Sequence, residues 1–355
     1  MKEENSTVFE SIEELQSFLN QNIPYDKSRK GIFDLEDCHF KFDVNFENAK
    51  RVISEHVYFS NSVFYGKTSF NGIIFQKKAN FDNCTFKKQV DFSNCIFEND
   101  INLFDSKFQK NSSFIACEFK GKVNAWNMSF SENVTFKWTN FRSKVNLSDL
   151  KAKYGKVELY GVNFEGNAYF YNSKIKNLDL KKSVIDKGLF YLGAEISVIK
   201  RETARIIKNE FLNQNNRIEA LKYHQKEMIA YFKELTTNIF RPNSLNSFFK
   251  SLGDITILII NFISNGFGLW WVLSVIFLFT STYLMFCWYL SNLNLTSSIE
   301  FWEYYPKFIL PTHKFGFIEN TTPDKYANLI DFFGRVVSSF GIYQTIQAFR
   351  KFGRF

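Results

Sequence analysis

The chain has only five prolines and sixteen glycines in 355 residues, too few for a collagen-like or low-complexity protein. Five cysteines at no paired spacing fall far below the density of a disulfide-built secreted scaffold. The four histidines (His39, His56, His224 and His313) are scattered, and HExxH, paired CxxC, GxSxG and phosphate-loop motifs are all missing. No catalytic residue, metal-ligand set or cofactor site is therefore expected. Neither sign of charge dominates strongly: 44 Lys and Arg against 36 Asp and Glu give +8, which leaves nucleic acid or an anionic membrane surface as partner classes. The N-terminus lacks an uninterrupted apolar run, since MKEENSTVFESIEELQSFL mixes acids with apolar positions. No signal peptide is read there, and the segment that follows is expected in the cytosol. Ser11 and Glu14 have capping-box spacing, and Ile12, Leu15 and Leu19 recur at helical intervals, so residues 1–30 are expected to form an amphipathic helix and cap.

Phenylalanine is what the chain has in abundance, 44 residues, and so much aromatic surface excludes disorder. From Phe59 to Leu147 large apolar residues recur with gaps alternating strictly between five and six, and 14 of those 17 positions are Phe. The exceptions are Leu103, Ala125 and Leu147. Two residues before lattice positions sits a set of smaller side chains, among them Ala79, Cys84, Val90, Cys95, Ser106, Ser112, Cys117 and Val123. Neither a period of 2 nor one of 3.6 gives this register. It describes a chain that turns a corner after each short extended segment, with Asn, Asp, Ser and Lys at the turns. Four segments of five, six, five and six residues make a 22-residue coil. The lattice continues back through Leu35, Phe40 and Phe46, and forward through Leu159, Phe164, Phe170, Ile175, Leu180, Ile185 and Phe190. Residues 31–199 then form a β-helix of about seven coils, a rod roughly 34 Å long at one strand spacing per coil. The shifts of register after Phe46 and Leu147 are expected to be loops. Phe92 and Phe97 should point inward and Asn94 outward, so that Asn94→Ala changes stability by no more than about 0.5 kcal/mol.

Stretches such as CTFKKQVDFSNCIF (Cys84 to Phe97) resemble the bacterial pentapeptide-repeat family. The resemblance implies a right-handed, four-sided parallel β-helix. Soluble relatives that mimic DNA do so with acidic rods, whereas residues 31–196 carry 23 Lys and Arg against 19 Asp and Glu, a balance of +4. Mimicry of DNA has the wrong sign here. The Lys-rich faces read as solvated surface, so nucleic acid is not an expected partner. Cys38, Cys84, Cys95 and Cys117 each fall two before a core position and read as small buried residues.

After Ile196 the period changes. Residues 200–240 read as a helical connector: one helix from Arg201 to Leu212, then one from Arg217 to Leu235 with Ile218, Leu221, Gln225, Met228, Phe232 and Leu235 at alternating three and four spacing. Two roles remain open for it, a cap on the last coil and an oligomer contact. Residues 241–355 form a membrane domain. Leu269 to Leu290 has no charge over 22 residues and carries Trp270, Trp271, Trp288 and Tyr289 at its ends, the pattern of a span over 269–290. Residues 245–264 contain an apolar run of only nine, Ile255 to Ile263, too short to cross, and read as an interfacial helix. The second span, 327–349, contains Asp331 and Arg335, costly in hydrocarbon unless they face protein or water. Asn328, Asp331, Arg335, Ser338, Ser339 and Thr345 fall on one side and are the candidate pore lining. Arg350, Lys351 and Arg354 mark the C-terminus as cytosolic, which puts the loop 291–325 outside. That loop holds SIEFWEYYPKFILPTHKF, a helix lying on the surface or dipping in and returning. Pro306, Lys307, Pro311, Thr312 and His313 are its candidate residues.

NNRIEALKYHQKEM (215–228), FGLWW (267–271), FILPTHKF (308–315) and residues 331–355 resemble the C-terminal module of bacterial membrane proteins with pentapeptide repeats, and the resemblance implies a channel-like unit of two spans flanking a loop. Thr-Val-Gly-Tyr-Gly is missing, so potassium selectivity is not implied. The expectation is an inner-membrane protein with a cytosolic rod, conducting ions as a homo-oligomer, because a two-span subunit encloses no aqueous path alone. Its partners would be the bilayer, further copies of itself and a cytosolic protein or ligand on the rod. The rival readings are a non-conducting membrane-anchored scaffold and a membrane-disrupting effector.

Overall fold

The computed structural model describes residues 6–15, 17, 32–46, 52–242, 244–293, 295, 298–319, 321 and 323–350. It divides into two compact units, Met1–Gln214 and Asn215–Phe355. The expected connector is thus shared between them, its first helix in one and its second in the other.

In the first unit, strands mostly two residues long pair in parallel with the equivalent strand one coil away. Ala79, Ile101, Val123 and Val145 stand in register at steps of 22 residues. Eight strands stack on one face, seven on another, and the remaining two faces join into one 14-stranded sheet. The eight-strand face spans seven coil-to-coil steps, so the solenoid has about seven turns. One coil of stacking is one strand spacing, and the rings repeat at that distance: Phe64, Phe86, Phe108 and Phe130 stack at 4.8, 5.0 and 4.9 Å. Parallel ladders run through Phe70, Phe92, Phe114 and Phe136 and through Phe75, Phe97, Phe119 and Phe141. The fourth is broken where Leu103, Ala125 and Leu147 are buried.

The corners explain the polar residues between. Among the described residues from Asn61 to Gly193 one residue per half-coil lies in the left-handed region, mostly Asn, Asp or Gly, with Ala116, Trp138 and Lys182 as exceptions. Glycine, asparagine and aspartate enter that region at least cost. Asn94 is exposed as expected, but its φ of 59° means that alanine there is not neutral. The buried thiols also do more than fill space. Cys84, Cys95 and Cys117 donate to the carbonyls of Phe59, Phe70 and Phe92 at 2.9, 3.0 and 2.9 Å. Ser106 and Thr139 do the same to Phe81 and Phe114, so the position selects a small donor.

Three irregularities depart from the sequence reading. The shift after Phe46 falls on residues 47–51, outside those described. The shift after Leu147 is not a loop: the extra residue is absorbed in a continuous eight-residue strand, Lys151–Glu158, which pairs with Ser129 at one end and Val134 and Thr135 at the other. That strand fuses the two joined faces. The next coil is one residue short, pairing Ala168 with Leu189. Tyr191, not Phe190, therefore stacks inward on Phe170 at 4.8 Å, and Phe190 lies outside against Tyr169 at 5.0 Å.

Further structure adjoins the solenoid at each end. Thr7–Phe9 adds a strand beside Cys38–Phe40, followed by a helical turn over residues 12–15 in which the Ser11 hydroxyl accepts from the Glu14 N–H at 3.3 Å. Leu19 lies outside the described residues. At the other end helix α1 (Arg201–Asn213) buries Ala204, Ile207 and Phe211. Its side chains accept from backbone N–H groups that a further coil would otherwise satisfy: Thr203 from Leu180, Glu202 from Lys182 and Glu210 from Leu189, each at 3.0 Å. The capping role is met by this helix.

The second unit contains α2 (Arg217–Phe240), α3 (Leu245–Asn265), α4 (Trp271–Asn292), α5 (Ser298–Ile309) and α6 (Lys325–Phe349). The stripe of α2 is spent within the unit, where Leu235 is buried with Ile255 and Leu258 of α3, and Met228 and Phe232 pack against them. Ile218 is exposed. Among the described residues two helices, α3 and α4, are long and apolar enough to cross a membrane; α6, which holds the expected second span 327–349, is not one of them. Residues 245–264, read as an interfacial helix around a nine-residue apolar run, lie in α3, which runs 21 residues without a break, roughly 31 Å, because the Ser244–Ser247 capping box starts it ten residues before that run. Its acid, Asp254, accepts from Tyr231 at 2.7 Å. Gly266, Phe267 and Gly268 all have positive φ and turn the chain sharply into α4.

Candidate functional site

The candidate site lies in the second unit, where α4 and α6 run antiparallel. Trp271 meets Phe349 at 5.3 Å, and Phe277 meets Phe340 at 6.0 Å. Small residues let them approach: a Cβ on Gly341 would stand 2.7 Å from Leu278, and one on Gly334 would collide with the Phe308 ring. Helix α5 then folds back along this pair. The Tyr305 hydroxyl donates to the Phe279 carbonyl at 2.8 Å and lies 3.0 Å from the Thr282 hydroxyl. Phe279 is thirteen residues before the end of α4, so α5 reaches roughly 20 Å back along it. Phe308 is buried between Phe286, Tyr289 and Gly334, and among the described residues between 310 and 324 the chain returns from α5 toward α6 without helix or strand.

On that return His313 meets α6. Its Nδ1 lies 2.6 Å from the Leu310 carbonyl and its Nε2 lies 2.6 Å from Oδ1 of Asp331. Arg335 donates to the other oxygen of Asp331 at 3.1 Å, and its guanidinium lies 3.9 Å from the centre of the Phe315 ring. Asp331 is fully buried and the His313 side chain is 5% exposed. This is a desolvated, charged contact, stabilised only while its partners remain. Three buried polar atoms nearby on α4 and α6 have no partner: the Tyr289 hydroxyl, Nε of Arg335 and the Ser338 hydroxyl.

Of the expected pore-lining set, the structure thus brings Asp331 and Arg335 together with His313 and buries Ser338 on the same face. Ser339 is exposed on another side, Asn328 donates to the Pro323 carbonyl at 3.5 Å, and Thr345 bonds its own helix at Gly341. Pro306 lies inside α5. Lys307 pairs with Glu303 at 3.4 Å and covers Tyr304, while Pro311 and Thr312 form the turn after α5. Sequence reading missed the partner of Asp331, eighteen positions away with no spacing to announce it. Gln344, which the expected set left out, is buried and exchanges hydrogen bonds with Asn261 and Asn265 of α3. A signal existed: Gly334, Ser338, Gly341, Gln344 and Ala348 are a helical stripe at three and four spacing.

A second feature lies on the rod, a shallow groove of about 720 Å3 along one solenoid face, lined by Asp43, Lys67, Asp91, Asn111, Asn133 and Glu158 among others. At its end Asp179 accepts from Lys200 at 2.8 Å and pairs with Lys156 at 3.0 Å. Burial pushes the Asp179 carboxyl up, but the hydrogen bonds from Lys200, Lys156 and the Lys181 N–H outweigh it and hold it below the ordinary range. Among the described residues no group of three or more His, Cys, Asp or Glu is placed to hold a metal ion.

Residues 59–107 and 70–118 match the family model described as pentapeptide repeats (9 copies). No curated protein and no solved structure matches the chain. The stacked phenylalanines, the 22-residue step and this match agree: the central coils of the rod, residues 59–118, are pentapeptide repeats wound as a parallel β-solenoid.

Proposed function

We propose that this is a membrane-embedded pentapeptide-repeat protein whose helical unit, as a homo-oligomer in a bacterial-type inner membrane, forms an ion-conducting pore, with the rod as its cytosolic sensing surface. The observation that carries this reading is the path of α5, which folds back beside Phe279 and Thr282 and returns as irregular backbone past Asp331. At membrane depth, non-helical backbone is tolerated only where it is buried in protein or lines a water-filled cavity. A helix that dips between two antiparallel helices and returns irregularly is the arrangement by which a few copies around an axis present such backbone to a shared path.

The purified full chain should be oligomeric in mild detergent and pass current in planar bilayers, and Arg335→Glu should shift its preference toward cations. A monomer by light scattering, or no current from inserted protein, would overturn the reading. One observation favours the scaffold instead: Asp331 and Ser338 are buried within a single copy, against its own helices. Cysteine at Ser338 that never reacts with a small charged thiol reagent, in protein that passes no current, would leave that reading standing.

A further inference from the structure

We propose that a single shared proton latches the returning segment to α6, and that losing this proton releases His313 and the backbone around it. Counting hydrogens at the two contacts fixes the protonation of the pair. The Leu310 carbonyl can only accept, so the contact at 2.6 Å requires a hydrogen on Nδ1 of His313. A neutral imidazole with its hydrogen on Nδ1 has a lone pair on Nε2, and that nitrogen lies 2.6 Å from Oδ1 of Asp331. An ionised carboxylate also only accepts. Both contacts therefore exist together only when the pair holds one proton more than a neutral histidine facing a carboxylate. Whether that proton sits on Nε2 or on Oδ1, both bonds are made. Without it one of them becomes two lone pairs face to face at hydrogen-bond distance, and on the Nε2 side the carboxylate is fully buried.

The surroundings keep this the titrating unit. On α6, Arg335 holds the second oxygen of Asp331. From α4, Tyr289 approaches with its hydroxyl unpartnered, and from α5 come Tyr304, packed on Phe317, and Lys307 over its ring. Lys314 follows His313 in the chain and is exposed. The histidine ring itself is packed against Phe308 at 5.7 Å and Phe317 at 4.6 Å, which restricts its rotation. Release would free the segment from Leu310 to Ile318, the irregular return of the re-entrant path. As a regulator of conduction the latch rests on the pore reading. As a device that holds the segment it does not.

The test is amide exchange by mass spectrometry on the full chain in detergent, from about pH 5.5 to about pH 9. The peptide covering residues 310–319 is corrected for intrinsic exchange. Opening should rise about tenfold per pH unit above the transition, the slope of one proton. His313→Gln, which donates to Asp331 without a titrating group, should remove the slope. Asp331→Asn should also remove it and keep the segment protected at high pH, because the amide donates to Nε2 without an added proton. A flat profile in the native protein, or an unchanged slope in His313→Gln, would overturn the latch. A one-proton slope with no current at any pH would support the latch and count against the pore, which separates the two.

Discussion

Phe92→Ala tests the solenoid core at its centre. The ring is fully buried, stacked between Phe70 at 4.7 Å and Phe114 at 5.0 Å, and met edge-on by Phe81 at 5.4 Å and Phe86 at 6.2 Å. Truncating a buried Phe costs about 3–5 kcal/mol. Each aromatic contact adds roughly 0.5–1.5 kcal/mol beyond area, and the coil backbone is pinned on both sides by parallel pairing, so little collapse can fill the cavity. The loss should lie at the upper end, about 5 kcal/mol, and lower the melting temperature of a rod of this size by about 10–20 °C. In a solenoid each coil touches only its neighbours, so the damage should be local, with protection against amide exchange falling most in the peptides covering residues 70–119. Asn94 supplies the contrast. Its exposed side chain suggested a neutral alanine, but the left-handed backbone and the hydrogen bond to Asn71 at 3.2 Å put Asn94→Ala near about 1 kcal/mol, with Asn94→Gly close to zero. A Phe92→Ala loss below about 1.5 kcal/mol, or a glycine at position 94 that costs more than alanine, would refute the reasoning.

Three further outcomes follow from the rod. Gly121→Ala should cost about 3 kcal/mol because its Cβ would stand 2.3 Å from the Asn99 backbone, while Gly72→Ala, with open space but a φ of 73°, should cost about 1 kcal/mol; chemical denaturation of the two variants separates them. The rod thiols should resist a disulfide reagent at pH 8 until the protein unfolds, since burial pushes Cys38 up to about 12 and Cys84 and Cys117 well above the usual thiol range, and Cys117→Ser should change stability little because serine keeps the bond to Phe92. Asp179, depressed in the folded rod, contributes stability that is fully present above its unfolded value of about 3.9 and is lost as pH falls through its lower folded value; Asp179→Asn should reduce the melting temperature at pH 7 and flatten its acid limb below about pH 4.

The rod was legible because each coil repeats the same demands, so that seventeen lattice positions report one geometry. Legibility failed where a single residue was gained or lost. In a strand one residue of slip exchanges inside for outside, and that is how Phe190 came to be assigned inward in place of Tyr191. The extra residue near position 152 could not be told from a loop, because its only trace is the fusion of two faces along Lys151–Glu158. Helix existence in the second unit was readable from apolar runs and from the three and four spacing of residues 218–235. What α6 does with its polar face was not, because Asp331 takes its partner from an irregular segment and Gln344 takes its partners from α3. Such contacts are set by which helices pack together, and no spacing within one helix carries that information.

The central claim is that the helical unit conducts as an oligomer around the re-entrant segment, and recording from purified full-length protein in planar bilayers tests it most directly. The account predicts discrete current steps whose cation preference increases in Arg335→Glu. Protein shown to be inserted that passes no current at any voltage, from about pH 5.5 to about pH 9, would contradict it.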